Sequence, residues 1–296
     1  MCGSISKRGT LFRILKAVLS LLVTSALLLS VSCRAAVTTP RAATTPMVRG
    51  TIKVSGSGTA LPLIKVLESD FTKLHPGIRI AFLPGVHSGG GIKGVANGTL
   101  DVGTISRELK TEERKLRLAC YWLSEDALAV AVHKDMPIRR ITTSQLKAIY
   151  EGKIVNWKEL GGPDGPIVVL DRNEDESAKI VFREFVLGKD LKIAKGASNL
   201  YYESDMVDGL VGTPGALGYF SYGFAVSKKV PVRLLALDGV SPSVENVQND
   251  TYKMTRGLGI VTKRKTSPVT EEFVDYLTSR RAAGVMARFG FAPYSR

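Results

Sequence analysis

The chain has 296 residues, of which 44% are hydrophobic and 23% charged, and its formal net charge is +14. The apolar content excludes a disordered chain, and the length allows two lobes of modest size around substantial cores. Three histidines and three cysteines, none in metal-ligand spacing, argue against a metal centre or a disulfide framework, so no cofactor is expected.

Residues 1–32 place Lys7, Arg8, Arg13 and Lys16 ahead of an almost wholly apolar run from Ala17 to Val31. This is the pattern of a secretory signal peptide, too short and wrongly flanked for a lasting membrane span. Small Ser32 precedes Cys33, as before a lipid-carrying cysteine, which would anchor the protein to a membrane. Ser30 stands where lipoprotein signals usually carry Leu, so ordinary cleavage after Ser32 or within Arg34-Ala35-Ala36 is the alternative. Residues 33–49, rich in Thr, Pro and Ala, read as a flexible tether. Without the four signal cations the charge falls from +14 to +10. These cations are scattered, and export argues against nucleic acid, which leaves an anionic solute or a membrane surface. Cys120, alone in "LACYWL", reads as a small core residue with no disulfide partner.

From residue 50 the elements alternate. "TIKVSGSG" is a strand running into a Gly-rich turn. "LPLIKVLESDFTKLH" has a helical period with Pro62 in its first turn, and "GIRIAFLPG" is a strand. "SGGGIKGVANGTL" is a Gly-rich turn into a short helix, and "DVGTIS" is a third strand. This β-α-β-α-β order predicts an α/β protein with a mostly parallel sheet, whose ligands bind beyond the carboxyl ends of the strands. "DALAVAVHKDMP" predicts a buried strand, and a second alternating block follows it. That block holds a helix over "TTSQLKAIYEG" capped by Thr143 or Ser144, the strand "PIVVLD", the helices "ESAKIVFREFVLG" and "ESDMVDGLVGTPG", and the strand "ALGYFSYGFAV". "VRLLAL", "YKMTRGLGIVTK" and one final helix, "TEEFVDYLTSRRAAGVMARFG", complete the chain. Two lobes are expected, 50–128 with 229–296 and 129–228, the chain crossing near 128–133 and again near 223–235.

The segments "VSGSGTALPLIKVL", "SGGGIKGVANGTLDVGTISREL", "IYEGKIVNWKELGGPDGPIVVLDR", "VGTPGALGYFSYG" and "TYKMTRGLGIVTK" together resemble the phosphate-binding proteins of bacterial ABC phosphate transporters. The resemblance runs from about Ile52 to Pro293 with the motifs in order. It implies the two-lobed periplasmic binding protein fold with a two-strand hinge, no enzymatic activity, and a monomer that hands its solute to an ABC transporter permease. The solute implied is inorganic phosphate or a related oxyanion. A tetrahedral oxyanion stripped of water needs many preformed donors, which backbone amides at helix starts and hydroxyls supply. Thr59 and Ala60, Ser88-Gly89-Gly90, and Ser106 after the third strand stand where the resemblance puts such donors. By the same resemblance Asp101 is the carboxylate that accepts a proton from bound phosphate, Arg172 the charge-assisted donor, and Glu174 the acidic partner of Arg172.

"DRNEDESAKIVFREFVLG", residues 171–188, departs from that pattern. After the arginine the family reads acid, Gly, Ser, Gly, Thr. Here Asp175, Glu176, Ser177 and Ala178 occupy the last four positions, so Glu176 and Ala178 replace two hydroxyl donors. A one-residue shift would put Ser177 on the serine position and Lys179 near the threonine. Otherwise Glu176 points away as a helix cap, or the solute is another oxyanion or a phosphonate. A sensor lipoprotein that has lost its ligand is the further alternative. Tyr201, Tyr202 and Tyr219 are candidates to line the cleft, with Tyr219, Trp122 and Trp157 better suited to packing; the three histidines read as surface or loop residues.

Overall fold

In the computed structural model, which describes residues 48–294, the opening β-α-β-α-β block is complete. It comprises β1 (Gly50–Gly56), α1 (Leu61–Leu74), β2 (Ile78–Phe82), α2 (His87–Asn97) and β3 (Val102–Ile105). β1 lies between β2 and β3, parallel to both. α1 forms because Leu63, Ile64, Leu67 and Phe71 recur on one buried face, and Pro62 sits in the first turn, where a missing N–H costs nothing. The expected signal segment, Cys33 and most of the tether fall outside the described residues. Among those described, no helix is long and apolar enough to cross a membrane.

A short helix, α3 (Thr111–Arg114), leads into β4 (Ala119–His133), a strand of 15 residues. Its length lets it serve two cores. Ala119–Ala127 pairs antiparallel with β11 (Thr255–Thr262), whereas Leu128–Val132 pairs with β8 (Ala216–Ser221). Between β4 and β8 the chain runs through β5 (Arg140–Ile141), α4 (Thr143–Tyr150), β6 (Val168–Arg172), α5 (Ser177–Phe182), β7 (Ser198–Leu200) and α6 (Glu203–Gly212). After β8 come α7 (Tyr222–Lys228), β9 (Val232–Leu234), β10 (Ala236–Leu237) and α8 (Val244–Gln248). Beyond β11 lie α9 (Pro268–Leu277), α10 (Arg280–Arg288) and β12 (Ala292–Pro293). The strand order is β2-β1-β3-β11-β4-β8-β6-β7. Ile52, Leu67, Leu258 and Phe273 belong to the core of the first half; Val130, Phe182, Leu217 and Tyr219 belong to that of the second.

The forward crossing falls at Ala127/Leu128. The return does not fall near 229 as expected. β9 pairs with Ala131–His133 of β4, β10 pairs with β5, and Leu235, Leu237, Val247, Tyr252 and Met254 all join the second core. The chain returns only at Met254–Thr255, where the Leu128 N–H donates to the Met254 carbonyl at 2.8 Å. Two antiparallel strands, β4 and β11, therefore form the join. Four local expectations also shift. Thr142, not Thr143 or Ser144, caps α4; Ser221 caps a helix where strand was expected to continue; and Ser279 caps α10, splitting the final helix in two. Cys120 is exposed rather than core.

Candidate functional site

Parallel strands deliver their loops to one edge. Ser57 follows β1, Ser106 follows β3, the β2–α2 loop leads to His87 and Ser88, and β6 ends at Arg172 just before α5. Gly56 makes the convergence possible: its φ is +138°, and a Cβ there would stand 2.3 Å from the Thr104 carbonyl oxygen. Between the halves lies a cavity of about 160 Å³ lined by Ser57, His87, Ser88, Gly89, Ser106, Arg107, Lys110, Asp175, Glu176 and Ser177.

The hydroxyls form a directed chain. Ser106 donates to Ser177 across the cleft at 2.8 Å, so the Ser57 hydroxyl, also 2.8 Å from Ser106, serves as donor to it. Arg256 donates to the Ser177 oxygen as well, at 3.2 Å. With two donors already on its oxygen, Ser177 keeps its own proton for the cavity. The Ser88 oxygen accepts the Ser106 N–H at 3.1 Å, and Ser88 and Gly89 sit in the first turn of α2, whose opening amides have no intrahelical partner. The cavity thus presents hydroxyl and amide donors at the positive end of an 11-residue helix.

Behind it lies a buried ionic chain. Arg172 (2% exposed) meets Glu176 at 3.0 Å and Glu203 at 3.7 Å; Arg256 meets Glu203 at 3.3 Å and Asp126 at 3.6 Å. Glu203 also accepts from Thr59 of the opposite half at 2.6 Å and from the Ser221 N–H at 2.8 Å. Burial works to raise the Glu203 carboxyl, but Arg256, Arg172 and these hydrogen bonds together hold it below the usual range. Burial wins at Asp126, which is pushed up to about 6 against the pull of Arg256. Burial also raises Glu176, opposed by Arg172 and by His87, whose Nδ1 lies 2.6 Å from the carboxylate. Within this ionic chain Asp126 Oδ2, Arg172 Nε and Nη1, and Arg256 Nε are buried without hydrogen-bond partners.

The expected site residues divide. Ser88, Gly89, Ser106, Glu176 and Ser177 line the cavity. Thr59 and Arg172 stand behind it in the ionic chain. Ala60 and Ala178 are core residues, and the Gly90 amide is spent on the Val86 carbonyl. Asp101 is displaced altogether. It precedes β3, whereas Ser106 follows it, and five residues of strand separate the two by about 16 Å. Its carboxylate accepts the Lys53 N–H at 2.8 Å instead. Glu174 is not the partner of Arg172; it is exposed and pairs with Arg183 at 2.5 Å. Lys179 does not reach the cavity either, since it is buried against Asp171 at 2.5 Å. Glu176 occupies the N-cap position of α5 but makes no capping bond with its side chain. Its carboxylate turns to Arg172 and His87 rather than away. His87 is no loop bystander, and Tyr201 and Tyr202 pack on its ring.

The sequence reading passed over Ser57, His87, Arg107, Lys110, Glu203, Arg256 and Asp126. For Arg256 a signal existed: it shares strand parity with Met254, Leu258 and Ile260, all buried, so a cation falls on the inward face. Glu203 carried none beyond being an acid in a first helical turn.

Two halves joined by two strands, with polar side chains converging on the cleft between them, define a solute-binding protein. Comparison with known proteins narrows the class. A family model described as a PBP superfamily domain matches residues 41–281. The phosphate-binding protein PstS of Bacillus subtilis (strain 168) is 30% identical over 235 residues, spanning 78% of this chain and 76% of that protein. PstS of Borreliella burgdorferi is 25% identical over 248 residues, spanning 81% and 88%. A Clostridium perfringens protein described as a phosphate ABC transporter substrate-binding protein, solved with bound phosphate, superposes with a TM-score of 0.75 at 29% identity, covering 83% of this chain and 100% of the other. An ABC-type phosphate transport receptor from Vibrio cholerae gives 0.61 at 28% identity, covering 81% and 99%. The chain belongs to the PBP superfamily and, within it, to the family of the phosphate-binding protein PstS.

Proposed function

We propose that this protein captures inorganic phosphate in the cleft and delivers it to the permease of an ABC transporter. The observation that carries the reading is the cavity itself: the Ser177 and Ser88 hydroxyls and the start of α2 converge from both halves, oriented by Ser57 and Ser106 and backed by two buried arginines. Donors of this kind solvate an oxyanion without fully neutralising it, so it can be released again. The names of the relatives support phosphate as the anion. With Asp101 on the other edge of β3, the carboxylates at the cavity wall are Asp175 and Glu176, and Glu176, the less exposed of the two, is the one we assign to accept a proton from the ligand. Such an acceptor favours an anion that still carries a proton and disfavours sulfate, which has none to donate at neutral pH.

Export with Cys33 as a lipid anchor completes the proposal; it rests on the signal-like first 32 residues and on the extracytoplasmic work of a solute receptor. Calorimetric titration of the purified protein, after denaturing dialysis to strip carried-over solute, tests the ligand. Phosphate is expected to bind at micromolar Kd or tighter, with sulfate silent and a phosphonate weaker. Heat from sulfate or the phosphonate but not from phosphate would overturn the assignment.

A further inference from the structure

Resting on that reading of the cleft, we propose that His87 is a positioning residue for anion capture, acting through Glu176. Its imidazolium clasps the Glu176 carboxylate across the cleft, so that closure on the anion takes up a proton. His87 is the first residue of α2, in the first half; Glu176 is the N-cap residue of α5, in the second. Nδ1 and Oε1 are 2.6 Å apart, the distance of a charge-assisted hydrogen bond. His87 also holds a φ of +55°, uncommon for a residue with a side chain and retained where surrounding contacts enforce it. Those contacts come from the opposite half as well: the ring of Tyr201 meets the imidazole edge-on at 4.9 Å, and Tyr202 lies parallel to it at 6.2 Å.

The charges around the pair give the clasp its consequence. From the second half Glu176, Asp175, Arg172 and Glu203 face the site, with the phenols of Tyr201 and Tyr202 on the ring. From its own half come Lys110 and Arg107, the latter tied up by Glu113 through two bonds of 2.8 and 2.9 Å. Arg172 divides its charge between Glu176 and Glu203. A neutral His87 therefore leaves a carboxylate only partly compensated beside the incoming anion, and an imidazolium removes that deficit. Imidazole is the side chain whose charge ordinarily changes between pH 5 and 8. Glu176 sets the acid limit: burial raises its carboxyl, so the clasp needs a pH high enough to keep that carboxylate ionised, and it is loss of the imidazolium charge that weakens the clasp as pH rises.

The test is phosphate affinity by calorimetry at pH 5.5, 6.5, 7.5 and 8.5 for the wild type and for His87→Gln, His87→Lys and Glu176→Gln. All four share the ionisation of phosphate itself, so the differences between profiles carry the result. The wild type is expected to lose about tenfold more affinity than His87→Gln between pH 6.5 and 8.5, within the limit of tenfold per pH unit for one linked proton. His87→Lys, with a permanent charge, should retain at pH 8.5 the affinity that the wild type has lost, and Glu176→Gln should flatten the profile. Small-angle scattering without added anion gives a reading independent of phosphate. The wild type should be more compact at pH 5.5 than at 8.5, and His87→Gln should not change. A His87→Gln profile within twofold of the wild type at every pH, or equal compaction in the two, overturns the clasp. If phosphate fails to bind at any pH, the proposed ligand falls and the scattering arm still decides the clasp.

Discussion

Replacing Glu203 with glutamine tests whether the buried ionic chain holds the cleft together. Glu203 lies at the start of α6, 4% exposed, between Arg256 at 3.3 Å and Arg172 at 3.7 Å. At an effective dielectric near 20, each such contact carries about 4–5 kcal/mol of attraction before desolvation is counted. Removing one partner of a buried pair strands the other, at a typical net cost of about 3–5 kcal/mol. The Glu203→Gln change would also turn an amide donor toward guanidinium groups that need acceptors, while Arg172 and Arg256 already have unpartnered nitrogens. We expect a loss of about 3–5 kcal/mol at pH 7, read from urea unfolding as a midpoint lowered by about 1–1.7 M for a slope near 3 kcal/mol/M. The carboxyl of Glu203 is held below its usual 4.5, so its contribution is present above that value and lost as pH falls through the folded-state value. The gap between variant and wild type should therefore narrow below about pH 4. A loss under about 1 kcal/mol at pH 7, or a gap that does not depend on pH, would refute the account.

Ser106→Ala and Ser177→Ala each remove a link in the hydroxyl chain. Ser177→Ala removes the hydroxyl whose proton faces the cavity and should weaken phosphate binding by about 10- to 100-fold in calorimetry, the worth of one hydrogen bond to a charged ligand, whereas Ser106→Ala removes only the donor that orients Ser177 and should cost less; unchanged affinity in both would remove the chain from the site. Asp101→Asn keeps an oxygen for the Lys53 N–H and lies at the opposite edge of β3, so phosphate affinity should stay within about twofold. A tenfold loss would return Asp101 to the binding machinery.

Most of the fold was legible because its signals are local. The alternation of short apolar runs with amphipathic stretches marks β1, α1, β2, α2 and β3, and Gly-rich turns mark the edge where they deliver Ser57, Ser88 and Ser106. The return crossing was hidden because residues 232–254 carry nothing that names their partner. Whether Leu235 and Tyr252 join one core or the other depends on pairing with β4, a contact about a hundred residues distant in the chain. The cavity residues were half legible for the same reason. A motif points to Ser88 and Ser106, which share one half. Glu203 and Arg256, by contrast, reach the site from separate elements, and only tertiary packing brings them within 3.3 Å.

The acidic stretch around Glu176 shows how a motif can depart without the site failing. An ionised carboxylate about 4 Å from an anion costs about 4 kcal/mol at an effective dielectric near 20, half the free energy of a micromolar complex. Matching residues to a pattern makes that cost look prohibitive, because the pattern contains only the positions it compares. The structure turns the Glu176 carboxylate to Arg172, four residues back on β6, and adds a partner from outside the pattern, His87, from the other half of the molecule. Each opposes the Glu176 charge at shorter range than the anion would feel it. The segment loses two hydroxyls at Glu176 and Ala178, while Ser177 remains, oriented by Ser106 and Arg256. What changes is the condition for binding. A site built on hydroxyls alone is indifferent to its own protonation, whereas one that holds a carboxylate at its wall works only while that charge is answered, and part of the answer here is an imidazole.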